Sequence, residues 1–570
     1  MAEILDKVDV VTIGVGWTGG IVAAELSKQG HKVVGLERGG DRNTSDFSLK
    51  YDELRYALRY ELMQDLSRET LTFRNNIKQR ALPMRQYGSF LLGNGVGGAG
   101  VHWNGLLDRF LPYDFEIRSK TIDKYGKKKI PSDVPVQDWG ITYDEMEPYY
   151  DQFEKMAGIS GEETPNRGPR SNDFPTGPMK STPMLDLFKE TTKKMGLDPF
   201  QSPSANTSER YENPDGIVKN PCQYNGFCER FGCEYGAKAS PIITVIPTAQ
   251  KTGNFELRTN SEVIEILHKG GKATGVKYVD TLTGIEYEQP ADVVVLTSYT
   301  FNNSRLLLLS KLGTPYDPKT QKGVIGKNYC YQIDVGTTGF FNDKKFNVYM
   351  GSGALAATLD NYNGDNFDHT DLDFIHGGSI TVAQSAARPI NNNNVPPDTP
   401  SWGKEFKKQS IKYFNRSISL YSEGASLPHI HNYLDLDPTY KDVYGRPLVR
   451  LTYDYSDSDR NRGHFLSEKI REIVKEMGAD ILSEPDELDH YDIRPYQATH
   501  NTGGVIMGDD PATSAVNSYL QMWDADNVFV VGGSAYPHHS GYNATGTMGA
   551  LAYRASEGIM NYFKKGGQLV

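Results

Sequence analysis

The sequence predicts a protein of two parts: an α/β domain assembled from separated segments, and an inserted α+β domain built on an antiparallel sheet. Three observations lead to this prediction. A short apolar strand near the N terminus runs into a glycine-rich turn and a helix. Similar strand and helix units return after residue 250 and again at the end of the chain. Between about residues 330 and 490 the pattern changes to alternating, aromatic-rich stretches, which favour antiparallel strands.

The first unit carries a Rossmann-like, dinucleotide-binding signature. Its parts are the strand of residues 8–13, the glycines Gly14, Gly16 and Gly19, the helix of residues 21–29, the strand of residues 32–36 and the acid Glu37. In such a unit the first glycine permits the tight turn, the second admits a pyrophosphate and the third lets the helix pack on the strand. The helix N terminus attracts the phosphates, and the acid binds a ribose hydroxyl.

A second glycine-rich segment, L-L-G-N-G-V-G-G-A-G-V-H-W-N-G, occupies residues 91–105. Its six glycines are incompatible with a regular helix or strand. They let the backbone lie close against a flat or phosphorylated ligand. We therefore expect this loop to approach a ligand closely.

The remaining elements define the domains. The pattern predicts a pair of strands with a turn in residues 255–266, a buried strand at 292–297, a helix at 303–312, strands at 346–350, 417–421 and 448–455, a helix at 457–477, a strand at 527–531 and a closing helix from about Thr545. We assign residues 1–170, 235–330 and 495–570 to the dinucleotide-binding domain, residues 171–204 and 331–494 to a substrate-binding domain, and residues 205–240 to a cysteine-rich loop.

That loop contains three of the four cysteines, Cys222, Cys228 and Cys233, whereas Cys330 lies far away in the sequence. Clustered thiolates are typical ligands of soft metals and iron–sulfur clusters. The spacing C-x5-C-x4-C differs from the tighter, paired spacing of a zinc ribbon. Free thiols, a disulfide with one spare thiol, and zinc with a fourth ligand from elsewhere remain alternatives. Three ligands would suit a three-iron cluster.

Bulk properties exclude several classes of protein. The chain has 570 residues and a net charge of −11, which argues against nucleic acid or an anionic membrane surface as its partner. No run of apolar residues reaches the length that spans a bilayer. The N terminus leads directly into the first strand without a signal peptide, so export would depend on another chain.

Four motifs in this order resemble those of the glucose–methanol–choline (GMC) oxidoreductases. They are G-V-G-W-T-G-G, N-G-V-G-G-A-G-V-H-W, T-F-N-N-S-R-L-L-L-L-S-K-L-G, and a C-terminal region with a histidine and then an asparagine. The resemblance covers essentially the whole chain, and P-S-A-N-T-S and N-Y-L-D-L-D-P place it nearest the large subunits of gluconate 2-dehydrogenases. It implies the GMC fold, bound FAD and oxidation of a secondary alcohol of a sugar or sugar acid.

The same resemblance implies a 3Fe-4S cluster held by Cys222, Cys228 and Cys233. Electrons would then leave through the cluster to a cytochrome or quinone and not to oxygen. Some gluconate dehydrogenases carry an additional cysteine where this chain has Asn225, so the match is incomplete. The three remaining cysteines still suffice for a three-iron cluster.

The resemblance also assigns roles to individual residues. His500 stands where the family has its catalytic base, a task suited to imidazole because its ordinary pKa is near working pH. Asn543 stands where a second histidine or asparagine hydrogen-bonds the substrate oxygen. His102 matches a histidine that some relatives join covalently to FAD; it either forms this bond or stacks on the flavin without one. We expect no catalytic task for His538 and His539.

The cofactor-binding residues implied by the motifs are Gly14, Gly16, Thr18, Gly19, Glu37, Arg38, Gly93, Asn94, Gly95, Gly97, Gly98, His102, Trp103, Val263, Gly533, Asn543 and Thr545.

Substrate and partners are less determined. A sugar acid would favour an arginine in the pocket, and Arg388 and Arg450 are the candidates in the inserted domain. An aldose, ketose, polyol or glycoside is the alternative substrate, and an FAD-containing lyase is a second alternative. The resemblance implies a small subunit that carries an export signal and a multihaem cytochrome c as partners. It places the protein in the periplasm or at the outer face of the cytoplasmic membrane, otherwise in the cytoplasm.

Overall fold

The computed structural model describes residues 2–48, 52–85, 90–386, 390, 393–486 and 488–569. The strands are β1 Glu3–Ile4, β2 Val8–Ile13, β3 Val33–Leu36, β4 Thr72–Arg74, β5 Leu82–Pro83, β6 Phe200–Gln201, β7 Tyr211–Glu212, β8 Val218–Lys219, β9 Phe255–Arg258, β10 Ser261–Lys269, β11 Lys272–Asp280, β12 Glu286–Leu296, β13 Ile333–Phe340, β14 Ala356–Leu359, β15 Gly378–Ala383, β16 Ser417–Gly424, β17 Tyr433–Lys441, β18 Pro447–Thr452, β19 Ile481–Leu482 and β20 Val528–Val530. The α-helices are α1 Trp17–Lys28, α2 Pro112–Phe115, α3 Ile117–Tyr125, α4 Tyr143–Ala157, α5 Pro183–Lys194, α6 Val245–Lys251, α7 Thr300–Leu309, α8 Gly403–Tyr413, α9 Asp457–Glu476 and α10 Thr545–Lys565.

A parallel sheet in the order β20–β12–β2–β3–β9 forms the centre of the first domain. Strands β2, β3 and β20 are apolar and largely buried, as expected when helices cover both faces of a parallel sheet. Helix α1 packs against α6 and α10. The antiparallel strands β10 and β11 extend the sheet from the first half of β12.

The second domain is built on an antiparallel sheet in the order β19–β13–β16–β15–β14–β6. Its register pairs Ile333 with Gly424 and Thr381 with Tyr421, and α9 packs across β13 and β16. A smaller sheet, β17–β18–β4–β5, brings strands from residues 72–83 beside strands from residues 433–452. The α/β and antiparallel parts that the sequence predicts are therefore both present.

Several predicted elements differ in detail. Helix α1 begins at Trp17, four residues before its predicted start at residue 21. The two strands with a turn that the sequence predicts in residues 255–266 are β9 and the start of β10, but they pair with β3 and β11 and not with each other. The predicted strand at residues 346–350 is also wrong. There Phe346 and Val348 are buried and Tyr349 is exposed, but no strand of the described residues pairs with the segment.

Among the described residues, no helix combines the length and the apolar character that crossing a bilayer requires.

Candidate functional site

A cavity of about 680 Å³ lies between the parallel sheet and the antiparallel sheet. Its wall includes Ile13, Leu36 and Thr297, at or just beyond the carboxyl ends of β2, β3 and β12. Ligands of open α/β sheets bind at these ends. The predicted site residues in the cavity wall are Gly14, Gly16, Thr18, Glu37, Arg38, Gly93, Gly98, His102, Trp103, Val263, His500, Gly533, Asn543 and Thr545.

The glycine turn leaves room for a phosphorylated ligand. A Cβ atom on Gly14 would lie 3.0 Å from the Thr297 carbonyl oxygen, and this glycine has a φ of +94°. A Cβ atom on Gly19 would lie 2.1 Å from the Gly14 carbonyl oxygen, so this glycine lets α1 approach β2. Gly16 differs, because its nearest neighbour would be the Gly97 carbonyl oxygen at 3.8 Å. The missing side chain of Gly16 therefore keeps the cavity open, as the dinucleotide signature requires.

Glu37 joins three backbone segments at the edge of the cavity. Its Oε2 accepts a hydrogen bond from the Val15 amide at 3.2 Å, and its Oε1 accepts from the Gly39 and Gly95 amides at 3.0 and 3.2 Å. A carboxylate offers about four acceptor sites. One site thus remains for a ribose hydroxyl.

Four predicted cofactor ligands lie behind the cavity wall: Gly19, Asn94, Gly95 and Gly97. The Gly95 amide bonds Glu37, the Gly97 amide bonds the Val15 carbonyl at 2.8 Å, and the Asn94 amide bonds the Leu62 carbonyl at 3.1 Å. These residues support the wall instead of forming its surface.

His102 is 4% exposed and faces the cavity from the second glycine-rich loop. Its Nε2 lies 3.0 Å from the Leu91 carbonyl oxygen, which requires a proton on Nε2. Nδ1 then carries the lone pair, and it is buried without a hydrogen-bond partner. Burial lowers the pKa of His102 to about 3, so the ring is neutral. A nucleophilic nitrogen in the wall fits attachment to a flavin.

His500 is held from behind by Gln332. Gln332 Nε2 donates to the carbonyl oxygens of Tyr542 at 2.9 Å and Ser540 at 3.3 Å, so its Oε1 must face His500 Nδ1, with which it hydrogen-bonds. The acceptor fixes the proton on Nδ1, so the lone pair is on Nε2. Burial lowers the pKa of His500 to about 4, while a hydrogen bond with Asn543 opposes this shift. The ring is therefore a neutral proton acceptor near neutral pH.

Asn543 stands in the same cavity beside Glu423, which the sequence analysis missed. Its Nδ2 donates to Glu423 Oε2 at 2.9 Å. Burial, and then the charges of Asp334 and Asp108, raise the pKa of Glu423 well above its ordinary value. Glu423 therefore keeps its proton to a higher pH than an ordinary carboxyl group does.

A pattern of period two could have identified Glu423. Ser417, Ser419, Tyr421 and Glu423 alternate along β16, and all four line the cavity. Side chains two residues apart share one face of a strand. The antiparallel sheet thus presents a row of hydroxyl and carboxyl groups, which suits a substrate rich in hydroxyl groups.

His538 and His539 are fully buried and do not line the cavity. The His539 ring lies 5.6 Å from that of His500, centroid to centroid. The Asp114 carboxylate accepts hydrogen bonds from His376 at 2.7 Å and from Ser540 at 2.9 Å. These buried groups lie one layer behind His500.

The cysteine loop places Cys222, Cys228 and Cys233 near one another. Asn206 Nδ2 lies 3.7 Å from the sulfur of Cys222 and 3.6 Å from that of Cys228. Burial raises the pKa of Cys222 to about 12, and the neighbouring Cys228 and Cys233 add to this shift. All four cysteines lie in the described part of the chain and none forms a disulfide.

Within the described residues, no group of three or more histidine, cysteine or acidic side chains is arranged to hold a single metal ion. Thiolates around an iron–sulfur cluster stand farther apart than the ligands of one ion, because iron and sulfide lie between them. Cys330 is buried elsewhere, where its backbone pairs with Thr502 beside His500.

Two residues connect the cysteine loop to the cavity wall. Lys238 Nζ donates to the carbonyl oxygens of Trp103 at 2.9 Å, Cys228 at 2.6 Å and Phe231 at 2.9 Å. The Arg230 amide donates to the His102 carbonyl oxygen at 2.7 Å. The loop and the segment at residues 102–103 therefore form one hydrogen-bonded unit.

Of the two candidate substrate-binding arginines, the structure describes only Arg450. Arg450 pairs with Asp435 at 2.5 Å and does not line the cavity. Arg388 lies outside the described residues. The arginines of the described cavity wall are Arg38, Arg230, Arg305 and Arg446.

Comparison with known proteins agrees with this architecture. Two family descriptions, both named GMC oxidoreductase, match residues 212–334 and 428–552. The gluconate 2-dehydrogenase flavoprotein of Pantoea cypripedii is 41% identical over 594 residues, covering 100% of this chain and 96% of the relative. The fructose dehydrogenase large subunit of Gluconobacter japonicus is 26% identical over 595 residues, with 98% of each chain covered.

Among solved structures, pyridoxine 4-oxidase from Mesorbium loti superposes with a TM-score of 0.58 at 16% identity, covering 98% of this chain and 99% of the other. This likeness concerns the fold. The chain belongs to the GMC oxidoreductase family and is an FAD-dependent oxidoreductase that acts on CH–OH groups.

Proposed function

We propose that this protein is a dehydrogenase that oxidises a secondary alcohol of a sugar acid of the gluconate type and passes the electrons through an iron–sulfur cluster. One observation carries the proposal: a single cavity joins the dinucleotide signature to His500 and Asn543, and the cysteine loop is hydrogen-bonded to its wall. The relative from Pantoea cypripedii, a gluconate 2-dehydrogenase flavoprotein, supports the substrate class.

The residues of the cavity supply the proton chemistry. His500 Nε2 accepts the proton of the substrate hydroxyl group, and Gln332 stabilises the resulting imidazolium through Nδ1–H. One amide N–H of Asn543 bonds Glu423, and the second N–H would bond the substrate oxygen when substrate is bound. FAD, when bound, accepts the hydride from the same carbon. We also propose that the glycine turns and Glu37 bind this cofactor.

His102 is proposed as the site of covalent FAD attachment. His102 lines the cavity, and its Nδ1 has no hydrogen-bond partner and carries a lone pair, which a carbon–nitrogen bond would use. Acid precipitation tests this assignment: the yellow colour stays with the protein pellet if the bond exists and moves to the supernatant if it does not.

The 3Fe-4S cluster would be held by Cys222, Cys228 and Cys233. The sulfurs of Cys222 and Cys228 lie close to one Asn206 amide, and Cys228 and Cys233 both act on the pKa of Cys222, which supports the assignment. Lys219 is fully buried nearby, and its Nζ donates to the Ala157 and Ala205 carbonyl oxygens. Burial lowers the pKa of Lys219 to about 7, while Cys233 and Cys222 oppose this shift; in its protonated form Lys219 would offset the negative charge of the thiolates. A small subunit with an export signal and a multihaem cytochrome c are the proposed partners, at the outer face of the cytoplasmic membrane.

Anaerobic addition of D-gluconate to the purified protein tests the function. We expect the flavin to bleach and a cluster signal to change in low-temperature paramagnetic resonance. Replacing His500 by alanine should slow the bleaching by about 10²–10⁴-fold, because a positioned general base is lost. His490→Ala is the control, since this histidine is exposed and pairs with Asp454.

Bleaching by a neutral sugar or polyol but not by gluconate would favour an uncharged sugar as the substrate. The similarity to a fructose dehydrogenase large subunit supports this alternative. No bleaching by any alcohol would overturn the dehydrogenase and leave a lyase.

A further inference from the structure

Arg230 lies between Cys228 and Cys233, yet its side chain lines the cavity. The residue is 8% exposed. The guanidinium carbon lies 5.0 Å from the ring centroid of Tyr496 and 5.9 Å from that of Tyr60. Two aromatic rings therefore fix the plane of a buried cation.

The hydrogen bonding of Arg230 is incomplete. Nη1 donates to the Ala57 carbonyl oxygen at 3.5 Å, and the buried Nε has no hydrogen-bond partner. The carboxylate of Glu229 lies 3.9 Å from Nε, beyond hydrogen-bond distance. A buried guanidinium with an unmet donor costs free energy, which a planar anion would recover.

The other arginines of the described cavity wall are already neutralised. Arg38 pairs with Glu69 at 2.5 Å, and Arg305 pairs with Glu69 and with Asp442 at 2.7 Å. Arg446 pairs with Asp442 at 2.8 Å and Glu262 at 2.9 Å. Among the described arginines of this cavity, Arg230 therefore has the weakest ion pair, with the Glu229 carboxylate at 3.9 Å.

Arg230 also lies on the substrate side of the cavity. Its neighbour Glu229 contributes, after burial and Glu423, to the raised pKa of Tyr421 on β16. Tyr496, against which the guanidinium stacks, lies four residues before His500. The loop thus faces the row of Ser417, Ser419, Tyr421 and Glu423.

We propose that Arg230 binds the carboxylate of the substrate and so makes the site selective for sugar acids. The guanidinium anchors the acidic end of the substrate, the polar row of β16 contacts its hydroxyl groups, and His500 receives the proton of the reacting hydroxyl. This assignment rests on the proposed dehydrogenase function. It gives a residue of the cysteine loop a direct part in substrate selection.

The test compares D-gluconate with D-glucitol, an uncharged sugar alcohol of the same chain length, in the wild-type protein and in Arg230→Gln. We expect the ratio of kcat/KM for gluconate to that for glucitol to fall about 10- to 100-fold, mainly through KM, because one bidentate ion pair is lost. Calorimetric titration should show the same loss in gluconate affinity. Arg230→Lys should retain part of the selectivity, since it keeps the charge but not the planar fork.

Arg450→Gln is the matched control, because it removes an arginine outside the cavity, and Arg388→Gln tests the rival from the sequence. We expect the flavin and cluster spectra of Arg230→Gln to match those of the wild type, which shows that the change in selectivity comes from substrate binding and not from loss of a cofactor. Equal losses for gluconate and glucitol, or a selective loss in Arg388→Gln instead of Arg230→Gln, would overturn the assignment.

Wild-type preference for glucitol would overturn the role of Arg230 and leave the dehydrogenase intact. Failure of both alcohols to bleach the wild-type flavin would instead overturn the proposed function. The role of Arg230 would then be decided by calorimetry alone, which compares gluconate binding to the wild type and to Arg230→Gln.

Discussion

Gln332 decides which nitrogen of His500 can act as a base. A neutral imidazole has one N–H and one lone pair, and the wrong tautomer would direct the N–H towards the substrate. The Gln332 amide cannot rotate freely, because its NH2 group bonds the carbonyl oxygens of Ser540 and Tyr542. Its oxygen therefore always faces Nδ1. This positioning is a long-range effect, since residues 332 and 500 are 168 positions apart.

Substitution of Gln332 should change the pH dependence of the reaction. The proposed base works when neutral, so activity falls as the pH drops through the pKa of His500, which is about 4 in the wild type. Gln332→Glu places a negative charge beside Nδ1 and raises this pKa, so the acidic limb of kcat/KM should move to higher pH. Gln332→Leu removes the acceptor and should lower kcat about 5- to 10-fold, the value of one hydrogen bond, without moving the limb upwards.

A purely structural role for Gln332 would give a different outcome. Both variants would then lose activity equally at every pH, with lower melting temperatures and an unchanged acidic limb. Rates of flavin bleaching, measured across the pH range, distinguish the two cases.

At the scale of elements, the sequence predicts most strands, including the alternating stretches that form β16 and β18, but it does not show which alternating segment lacks a partner strand. The strand at residues 8–13 and the helix from residue 457 are confirmed within a residue at each end. Residues 346–350 alternate between buried and exposed, yet they form no strand. Alternation of apolar and polar residues indicates which side chains face the core, but a strand also needs a neighbouring strand to hydrogen-bond with. The Phe346 amide donates to the Asn415 carbonyl oxygen, and this single bond does not continue into a ladder.

Lys238 acts at the same scale, because its ammonium group links the cysteine loop to the Trp103 segment. In Lys238→Met three carbonyl oxygens lose their donor. If electrons leave through the loop, reoxidation of the substrate-reduced flavin by a one-electron dye should slow by about tenfold or more, while bleaching by substrate changes less than about threefold. Stopped-flow absorbance separates the two steps.

Lys238→Arg retains the charge and should restore part of the reoxidation rate. Slower bleaching with unchanged reoxidation would contradict the role of Lys238 as a link between the loop and the flavin site.

At the scale of the whole molecule, the sequence predicts the motifs but not the wall they share. The glycine turn and Glu37 are close in sequence, and local chemistry reveals their purpose. Arg230 and Glu423 belong to a loop and a strand whose meeting depends on the packing of two domains. The likeness to relatives located His500, because its position in a motif is local information. It did not locate Gln332, since hydrogen bonds across separate segments leave no mark in spacing.

Because both sheets contribute to a cavity of about 680 Å³, cofactor occupancy should stabilise the entire molecule. His102→Ala removes the proposed attachment point and permits FAD to be stripped. A ligand at 1,000 times its Kd adds about 4 kcal/mol to the free energy of unfolding. The stripped variant should therefore melt several degrees below the same variant saturated with FAD, and added FAD should restore the transition. Calorimetry measures both states. AMP is the control, because it would reach only the dinucleotide half of the cavity and should raise the melting temperature less than FAD does. Equal melting temperatures with and without FAD would show that FAD does not bridge the two domains.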